Sequence, residues 1–179
     1  MRKLTIFLLI MGLLNWSGLF GQKKSDSKNE VDVNKPIENP DLKRAFEIFQ
    51  IDKTEENLMK VINGFLKANF LVLAVTDEMK TSKSDTNSVV VEQGSLIKFL
   101  NCFDLNNQPF LPLFTDWKEV DLWLKKRDDN TSGFIMNTFE AFEFAKNDVN
   151  YFGIVVNPGS NAWTMSKEKV SNFLEDYKK

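Results

Sequence analysis

Apolar side chains recur at helical spacing in two stretches between Pro40 and Asn69. The first stretch begins at Pro40, and proline is favoured in the first turn of a helix. The second begins near Thr54, a residue type that caps helices, and ends before Asn69. The apolar stripes consist of Leu42, Ala45, Phe46 and Phe49 in the first stretch and Leu58, Val61, Ile62, Phe65 and Leu66 in the second. These spacings of three and four residues predict two amphipathic helices.

Continuous apolar runs and turn residues predict the strands. The run from Phe70 to Val75 has no polar residue, which is typical of a strand that is covered on both faces. The segment from Pro109 to Phe114 contains two prolines, and this predicts an edge strand or an irregular one. Shorter strands are predicted at 89–92 and 95–103, with a polar loop before them at 76–88 and a hairpin turn after them at 104–108.

Two strand–helix units follow, each with a capping pattern at the start of its helix. Asp116 precedes Glu119 by three residues in the first unit, and Asn137 precedes Glu140 by three in the second. A short polar side chain followed by Glu at this spacing satisfies free amides in the first helical turn. A final strand is predicted at 151–156 and a last helix from about Ser166. The whole pattern predicts a single α+β domain, in which a mixed β-sheet is packed by about five short helices.

The N-terminal stretch has the layout of a secretory signal peptide. A basic start precedes an apolar run from Leu4 to Leu14, which is shorter than the roughly 20 residues that span a bilayer. We therefore expect a signal peptide at 1–21, a disordered polar tether at 22–39 and the folded domain at 40–179. No cysteine follows the apolar run, so a bacterial lipid anchor is not expected there. The expected protein is periplasmic or secreted and is not stably inserted in a membrane after cleavage; an uncleaved anchor is the alternative.

The composition removes most catalytic chemistry from consideration. The chain has no histidine, and Cys102 is its one cysteine. Ser-His-Asp and Cys-His systems, most zinc sites and an internal disulfide are therefore excluded. The net charge of −2 does not favour binding to a nucleic acid. We expect no enzyme activity, no cofactor, no metal site and no nucleic-acid partner, and we expect Cys102 to be a buried apolar residue.

Polar residues that follow two of the predicted strands form the candidate contact site. Thr115 and Asp116 follow the strand at 109–114. The strand at 151–156 is followed by Asn157, Pro158, Gly159 and Ser160, with Trp163 just beyond. One glycine without an adjacent lysine does not make a phosphate loop, whereas Pro-Gly fits the centre of a type II turn with positive φ at Gly159. We expect Trp163 to be partly exposed.

The order of these elements resembles that of the SseB protein N-terminal domain, a bacterial family named from a serine-sensitivity phenotype. In that family a strand ends in an F-T-D-like step into a helix, which residues 114–116 match. A late strand of the family ends in a V/I-N-P-like turn, which residues 156–158 match. The resemblance covers about 41–174 and implies the same fold, but it brings no catalytic signature to particular residues.

Two functions from different classes remain open. The first is an exported, non-catalytic interaction or accessory module with an unidentified protein partner. The second is a binding protein for an amino acid or a nucleotide, or an unusual hydrolase, that uses Thr115, Asp116, Asn157 and Ser160. The second requires the ends of the two strands to lie side by side, because ligands of open α/β sheets gather at the carboxyl ends of strands. The missing histidine and the missing catalytic signature favour the first.

Overall fold

The computed structural model describes residues 37–75, 81–83, 89–91, 97–126 and 130–178. The predicted signal peptide and the predicted tether up to residue 36 lie outside them. The helices in this part of the chain are α1 (Pro40–Ile51), α2 (Glu55–Lys67), α3 (Trp117–Trp123), α4 (Thr138–Asn147) and α5 (Lys167–Tyr177). The strands are β1 (Asn69–Val75), β2 (Thr81–Lys83), β3 (Val89–Val91), β4 (Lys98–Phe99), β5 (Cys102–Phe103), β6 (Pro109–Leu113), β7 (Thr131–Asn137), β8 (Gly153–Val156) and β9 (Trp163–Ser166). None of these helices has the length and hydropathy that are needed to cross a membrane.

The strands form two main sheets that meet at one point. In an antiparallel sheet β1 lies between β4 and β7, and in a mixed sheet β6 lies between β5 and β8, with β9 next to β8. The pair β6–β8 is parallel, and the other pairs of this sheet are antiparallel. Leu71 of β1 and Phe114 after β6 exchange two hydrogen bonds of 2.9 Å, and these join the two sheets. The predicted α+β class with a mixed sheet and five short helices is confirmed.

The joined sheets separate two hydrophobic cores. On one face, Phe70 and Val72 of β1 pack with α1, α2, α4 and α5, and on the other face Leu71 and Leu73 pack with α3. Alternate residues of a strand point to opposite faces, so β1 is buried on both, as its apolar run predicts. Aromatic rings fill the larger core: the ring of Phe65 lies 5.6 to 6.1 Å from those of Phe46, Phe70, Phe142 and Phe173.

The strand β6 is an interior strand despite its two prolines. Pro109 is its first residue, a position where the missing amide hydrogen is tolerated. Leu113 faces β8, because its carbonyl accepts the Asn157 amide at 2.9 Å, so the neighbouring Pro112 faces away from β8. On the side away from β8, the pairing of β6 with β5 extends only as far as Phe110. The prediction of an edge strand is therefore wrong, whereas the alternative of an irregular strand agrees with the gap in the ladder at Pro112.

Three other predicted segments differ in the structure. The predicted loop at 76–88 contains β2, which pairs with β3. The predicted strand at 95–103 is divided into β4 and β5, which belong to different sheets. The strand β9 was not predicted, because it has only four residues and its polar positions, Thr164 and Ser166, are exposed. The predicted hairpin turn at 104–108 is confirmed between the antiparallel strands β5 and β6.

The buried face of α2 is rotated from the predicted one. Leu58 and Leu66 are exposed, whereas Val61 and Phe65 are buried as predicted. The helix contacts α1 so closely at Gly64 that a Cβ there would lie 3.0 Å from the Cα of Leu42. A polar residue and a glycine complete the true buried face, which consists of Asn57, Val61, Gly64 and Phe65. Neither residue type marks a buried face in a pattern of hydrophobic positions.

The caps of the later helices agree well with the predicted pattern. Asn137 and Glu140 form a complete capping box at the start of α4. Ser166 caps α5 by accepting the Lys169 amide at 3.4 Å. Cys102 is buried, and burial raises the pKa of its thiol above the ordinary value. The prediction that Cys102 is a buried apolar residue is confirmed.

Candidate functional site

The two polar strand ends lie side by side, because β6 and β8 are parallel neighbours. The side-chain oxygen of Asn157 accepts the Thr115 amide at 3.0 Å. The Asn157 Nδ2 atom donates to Thr115 Oγ1, also at 3.0 Å. Both side chains are buried. The geometric condition for a shared site at this edge of the sheet is therefore met, although these two residues use their polar atoms on each other.

Residues 157–160 form a tight turn that differs from the predicted type II turn. The Ser160 amide donates to the Asn157 carbonyl at 3.2 Å. The positive φ of this turn, 52°, belongs to Asn157 and not to Gly159. Asn tolerates the left-handed region better than most residues. Gly159 is required for space instead, since a Cβ there would lie 2.7 Å from the backbone nitrogen of Trp123 in α3. The type II assignment is wrong, because Gly159 does not have the positive φ that this turn type requires. The close approach to α3 sets the need for glycine instead.

One lysine and two carboxylates form an ion-pair cluster beside this turn. Lys43 Nζ of α1 lies 2.8 Å from Asp116 Oδ2 and 3.2 Å from Glu119 Oε1. Asp116 also caps α3, because its Oδ1 accepts the Glu119 amide at 3.0 Å. The carboxylate of Glu119 accepts the Ser160 hydroxyl at 2.6 Å. The capping pattern predicted for Asp116 and Glu119 is thus formed on the Asp116 side, while the Glu119 carboxylate is directed at Lys43 and Ser160.

Hydrogen bonding and attraction between the charges of this cluster outweigh the effect of burial on the pKa values of Lys43 and Asp116. Burial is the largest effect on Lys43 and acts to lower its pKa, but the hydrogen bonds and charges of Asp116 and Glu119 together raise that pKa. Burial likewise acts to raise the pKa of Asp116, but the Lys43 ammonium and the amides of Glu119 and Lys118 lower it below the ordinary value. Lys43 and Asp116 are therefore both charged at neutral pH.

The start of α1 is bonded to the same edge of the sheet. The Asn39 Nδ2 atom donates to the carbonyls of Asn69 and Thr115, at 2.8 Å each. Its Oδ1 atom accepts the Asn69 amide at 3.2 Å. Together with Lys43, these bonds place the start of α1 at the amino end of β1 and the carboxyl end of β6. The helix thus occupies part of the region at which ligands of open sheets gather.

The remaining predicted residues lie near this cluster in different surroundings. Pro158 is partly exposed and Gly159 is exposed in the turn. Trp163 belongs to β9 and is partly buried, in agreement with its predicted partial exposure. Its ring stacks on that of Phe46 with centroids 4.9 Å apart and lies 5.4 Å from that of Phe49. Trp163 therefore packs on α1, against the larger core.

Sequence reasoning missed Lys43 and the second role of Glu119 in the ion-pair cluster, and it missed Asn39 beside the cluster. Lys43 and Asn39 precede the site by more than seventy residues of chain, since Lys43 and Asp116 are 73 positions apart and Asn39 and Thr115 are 76 apart. Glu119 was interpreted as a capping residue alone. The sequence signal for Lys43 is its place on the flank of the apolar stripe of α1, next to Leu42. That signal is weak, because most lysines at such positions are solvated.

Comparison with protein families supports the resemblance seen in the sequence. The model of the SseB protein N-terminal domain matches residues 42–172. This range runs from α1 into α5 and includes the whole ion-pair cluster and the turn at 157–160. Comparison with curated proteins found no match, and comparison with solved structures found none.

Proposed function

The chain belongs to the SseB protein N-terminal domain family, and we propose that it is an exported, non-catalytic domain that acts by binding another protein. The basic and apolar layout of residues 1–21 supports export. The net charge of −2 and the absence of histidine argue against a nucleic-acid partner and against most acid–base catalysis.

The observation that carries the proposal is the mutual bonding of the polar side chains at the strand ends. Asp116 and Glu119 share the Lys43 ammonium, and Ser160 donates to Glu119. A general base needs a free carboxylate, and a ligand site needs polar atoms that are not already bonded. The cluster therefore has the properties of a structural connection between α1, α3 and the turn, rather than those of a reaction centre.

The exposed face of α2 supports a protein-binding role. Leu58, Met59 and Leu66 are exposed on this helix, and the partly buried Ile62 lies between them on the surface. Leu58, Ile62 and Leu66 are spaced at i, i+4 and i+8, so they form one line along the helix. Neighbouring apolar side chains on a surface are typical of sites that bind other proteins.

A pull-down with quantified recovery tests this role. Tagged protein is recovered from the cell envelope of its own bacterium, beside the variants Leu58→Lys and Asn63→Lys. Both positions are exposed on α2, but Asn63 is already polar and serves as the matched control. We expect one stoichiometric protein partner with the wild type and with Asn63→Lys, and a clear loss with Leu58→Lys. Recovery that is the same with all three proteins, or no partner at all, would count against the proposal.

The alternative is a small-molecule site or an unusual hydrolase at the strand ends, and one observation favours it. The Ser160 residue is exposed, and its hydroxyl donates to a carboxylate, which is how a serine nucleophile is activated by an adjacent base. A thermal-shift screen of amino acids and nucleotides tests the binding form of this alternative. A ligand shift that Asn157→Ala abolishes, together with an empty pull-down, would favour the alternative over the interaction module.

Export has its own test. Cells that express the chain with a C-terminal tag are separated into cytoplasm, periplasm, membranes and medium, and the N-terminus of the recovered protein is determined. We expect a periplasmic or secreted protein that begins near Gln22, because residues 1–21 have the layout of a cleaved signal. A cytoplasmic protein that retains Met1 would contradict the export part of the proposal and leave the binding part to the pull-down.

A further inference from the structure

The strand β7 has seven residues and lies at the edge of its sheet. Within the described part of the chain its strand neighbour is β1 alone. The N–H and C=O of Leu71 bond to Phe114, so Leu71 does not exchange hydrogen bonds with its β7 partner. Backbone groups alternate in direction along a strand, and Thr131, Gly133 and Ile135 therefore direct theirs to the outer side. This edge is a template for another strand.

In the part of the chain that the structure describes, the β7 edge lacks the features that normally protect an edge strand. Its sequence, TSGFIMN, contains no charged residue and no proline. Natural edges are shortened, bulged, covered, or given lysine or proline, because an unprotected edge pairs with other chains. The strand β9, an edge of the other sheet, shows the contrast, since it is only four residues long. A strand edge of this length without charge or proline is therefore expected to pair with another strand.

We propose that this edge pairs with β7 of a second copy of the chain. In an antiparallel arrangement with Gly133 opposite Gly133 of the second copy, Thr131 lies opposite Ile135 at both ends. The three outward residues of each copy then make roughly six N–H···O=C bonds across a twofold axis. A strand without charge presents no repulsion to its own copy, and no charged group that would select a different partner.

Trp117 supplies apolar surface at the centre of this arrangement. A Cβ at Gly133 would lie 2.7 Å from Cη2 of Trp117, so the indole lies over the glycine. Trp117 is 38% exposed. Pairing about Gly133 brings the indole of the second copy to the same axis and covers both rings at once. A heterologous strand without such a ring would leave this surface open, which is why a second copy is the favoured occupant.

Sedimentation analysis of the purified protein over a wide concentration range tests the pairing. The variants are Thr131→Lys and Thr164→Lys. Both threonines are at outward backbone positions of edge strands, one in β7 and one in β9, so they form a matched pair. We expect a wild-type dimer, an unchanged dimer for Thr164→Lys, and a dissociation constant raised roughly tenfold for Thr131→Lys, because the symmetric dimer receives two new charges. A monomeric wild type, or equal effects of the two variants, would overturn the proposal.

A pair of cysteines on β7 tests the register independently of any loss of affinity. Directly opposite residues in an antiparallel pair have Cα atoms within disulfide range, and Thr131 lies opposite Ile135 of the second copy. Mild oxidation of the double variant Thr131→Cys/Ile135→Cys should therefore give a covalent dimer joined between 131 and 135, and the buried Cys102 should not contribute. The control Thr164→Cys should remain uncrosslinked. Crosslinks through 164, or none between 131 and 135, would refute the β7 pairing and would leave the pull-down result for another partner unaffected.

Discussion

Replacement of Lys43 by Met tests whether the ion-pair cluster stabilises the fold. The side chains of Asp116 and Glu119 are only 14% and 8% exposed, and both approach the same ammonium. Without Lys43 the two carboxylates lie near each other with no cation, although Met keeps most of the aliphatic contacts. Loss of one partner costs about 3–5 kcal/mol in a buried pair and about 0–1 kcal/mol in an exposed pair. Lys43 is 32% exposed, so we expect the free energy of unfolding to fall by about 1.5–3 kcal/mol.

Urea unfolding at neutral pH, followed by tryptophan fluorescence, measures this loss. Lys60→Met is the matched control, because Lys60 Nζ lies 2.8 Å from Glu56 Oε1 in an exposed pair on α2. Lys60 also donates to the Asn57 side-chain oxygen at 3.0 Å, so each lysine has a 2.8 Å carboxylate contact and a second polar contact, and the pairs differ in burial and in the number of carboxylates. We expect a clearly smaller change in the midpoint for the control. Equal losses in the two variants, or no loss for Lys43→Met, would refute the argument that burial gives the cluster its strength.

The same variant has a defined pH dependence. The folded state lowers the pKa of Asp116, so its contribution to stability is present above its unfolded pKa of about 4 and is lost as the pH falls through the lower folded value. The folded state raises the pKa of Lys43, so that contribution is present below about pH 10.4 and is lost as the pH rises through the folded value. The difference between wild type and Lys43→Met should be largest near neutral pH and should shrink in acid. A difference that stays constant into strong acid would contradict the assignment.

Three further substitutions or measurements test the packing. Gly159→Val should lower the free energy of unfolding, measured in urea, by about 1–3 kcal/mol. Gly159→Ala should show most of that loss, because the first added carbon already lies 2.7 Å from the Trp123 nitrogen. An unchanged free energy of unfolding for Gly159→Ala would contradict the close approach. Gly153→Ala should not fold to a soluble protein, since its Cβ would lie 2.0 Å from the Met165 carbonyl oxygen in β9; a cooperative melt would contradict this. Burial raises the pKa of the Cys102 thiol, so a thiol reagent should label the native protein far more slowly than the urea-unfolded one; equal labelling rates would show that Cys102 is accessible.

Hydrophobic spacing predicted the elements whose burial rests on large apolar side chains. The strand β1 was predicted correctly because its run from Phe70 to Val75 is apolar throughout, and the helix α1 because apolar residues recur at spacings of three and four. The face of α2 was predicted incorrectly because Asn57 and Gly64 form part of its buried surface. In β6, Pro112 was taken as a sign of an edge strand, although β6 is an interior strand whose ladder has a gap on the side that Pro112 faces. These errors arise from tertiary context, which a local pattern does not contain.

The candidate site was predicted in part for the same reason. Thr115 and Asn157 follow parallel neighbouring strands, so their proximity depends on strand order. The sequence does not determine that order, so it predicts a shared site only on the condition that the two strand ends lie side by side. The role of Gly159 depends on the approach of α3, and the positive φ expected there belongs to Asn157. Lys43 reaches the site from a helix that is far away in sequence. A charged residue on an amphipathic helix is usually solvated, so nothing local distinguished this one.

The position of Lys43 also determines which ligands the alternative function permits. A ligand that binds the carboxylates of Asp116 and Glu119 must displace the ammonium that they now share. Two carboxylates of low exposure require a replacement cation, which an amino acid carries and a nucleotide does not. Lys43→Met removes the competing group, so an amino acid that uses this site should bind the variant more tightly than it binds the wild type, and a nucleotide should bind neither. Titration calorimetry with both ligand classes decides the matter, because tighter binding of an amino acid to Lys43→Met would favour the ligand site and no heat with either protein would favour the interaction module.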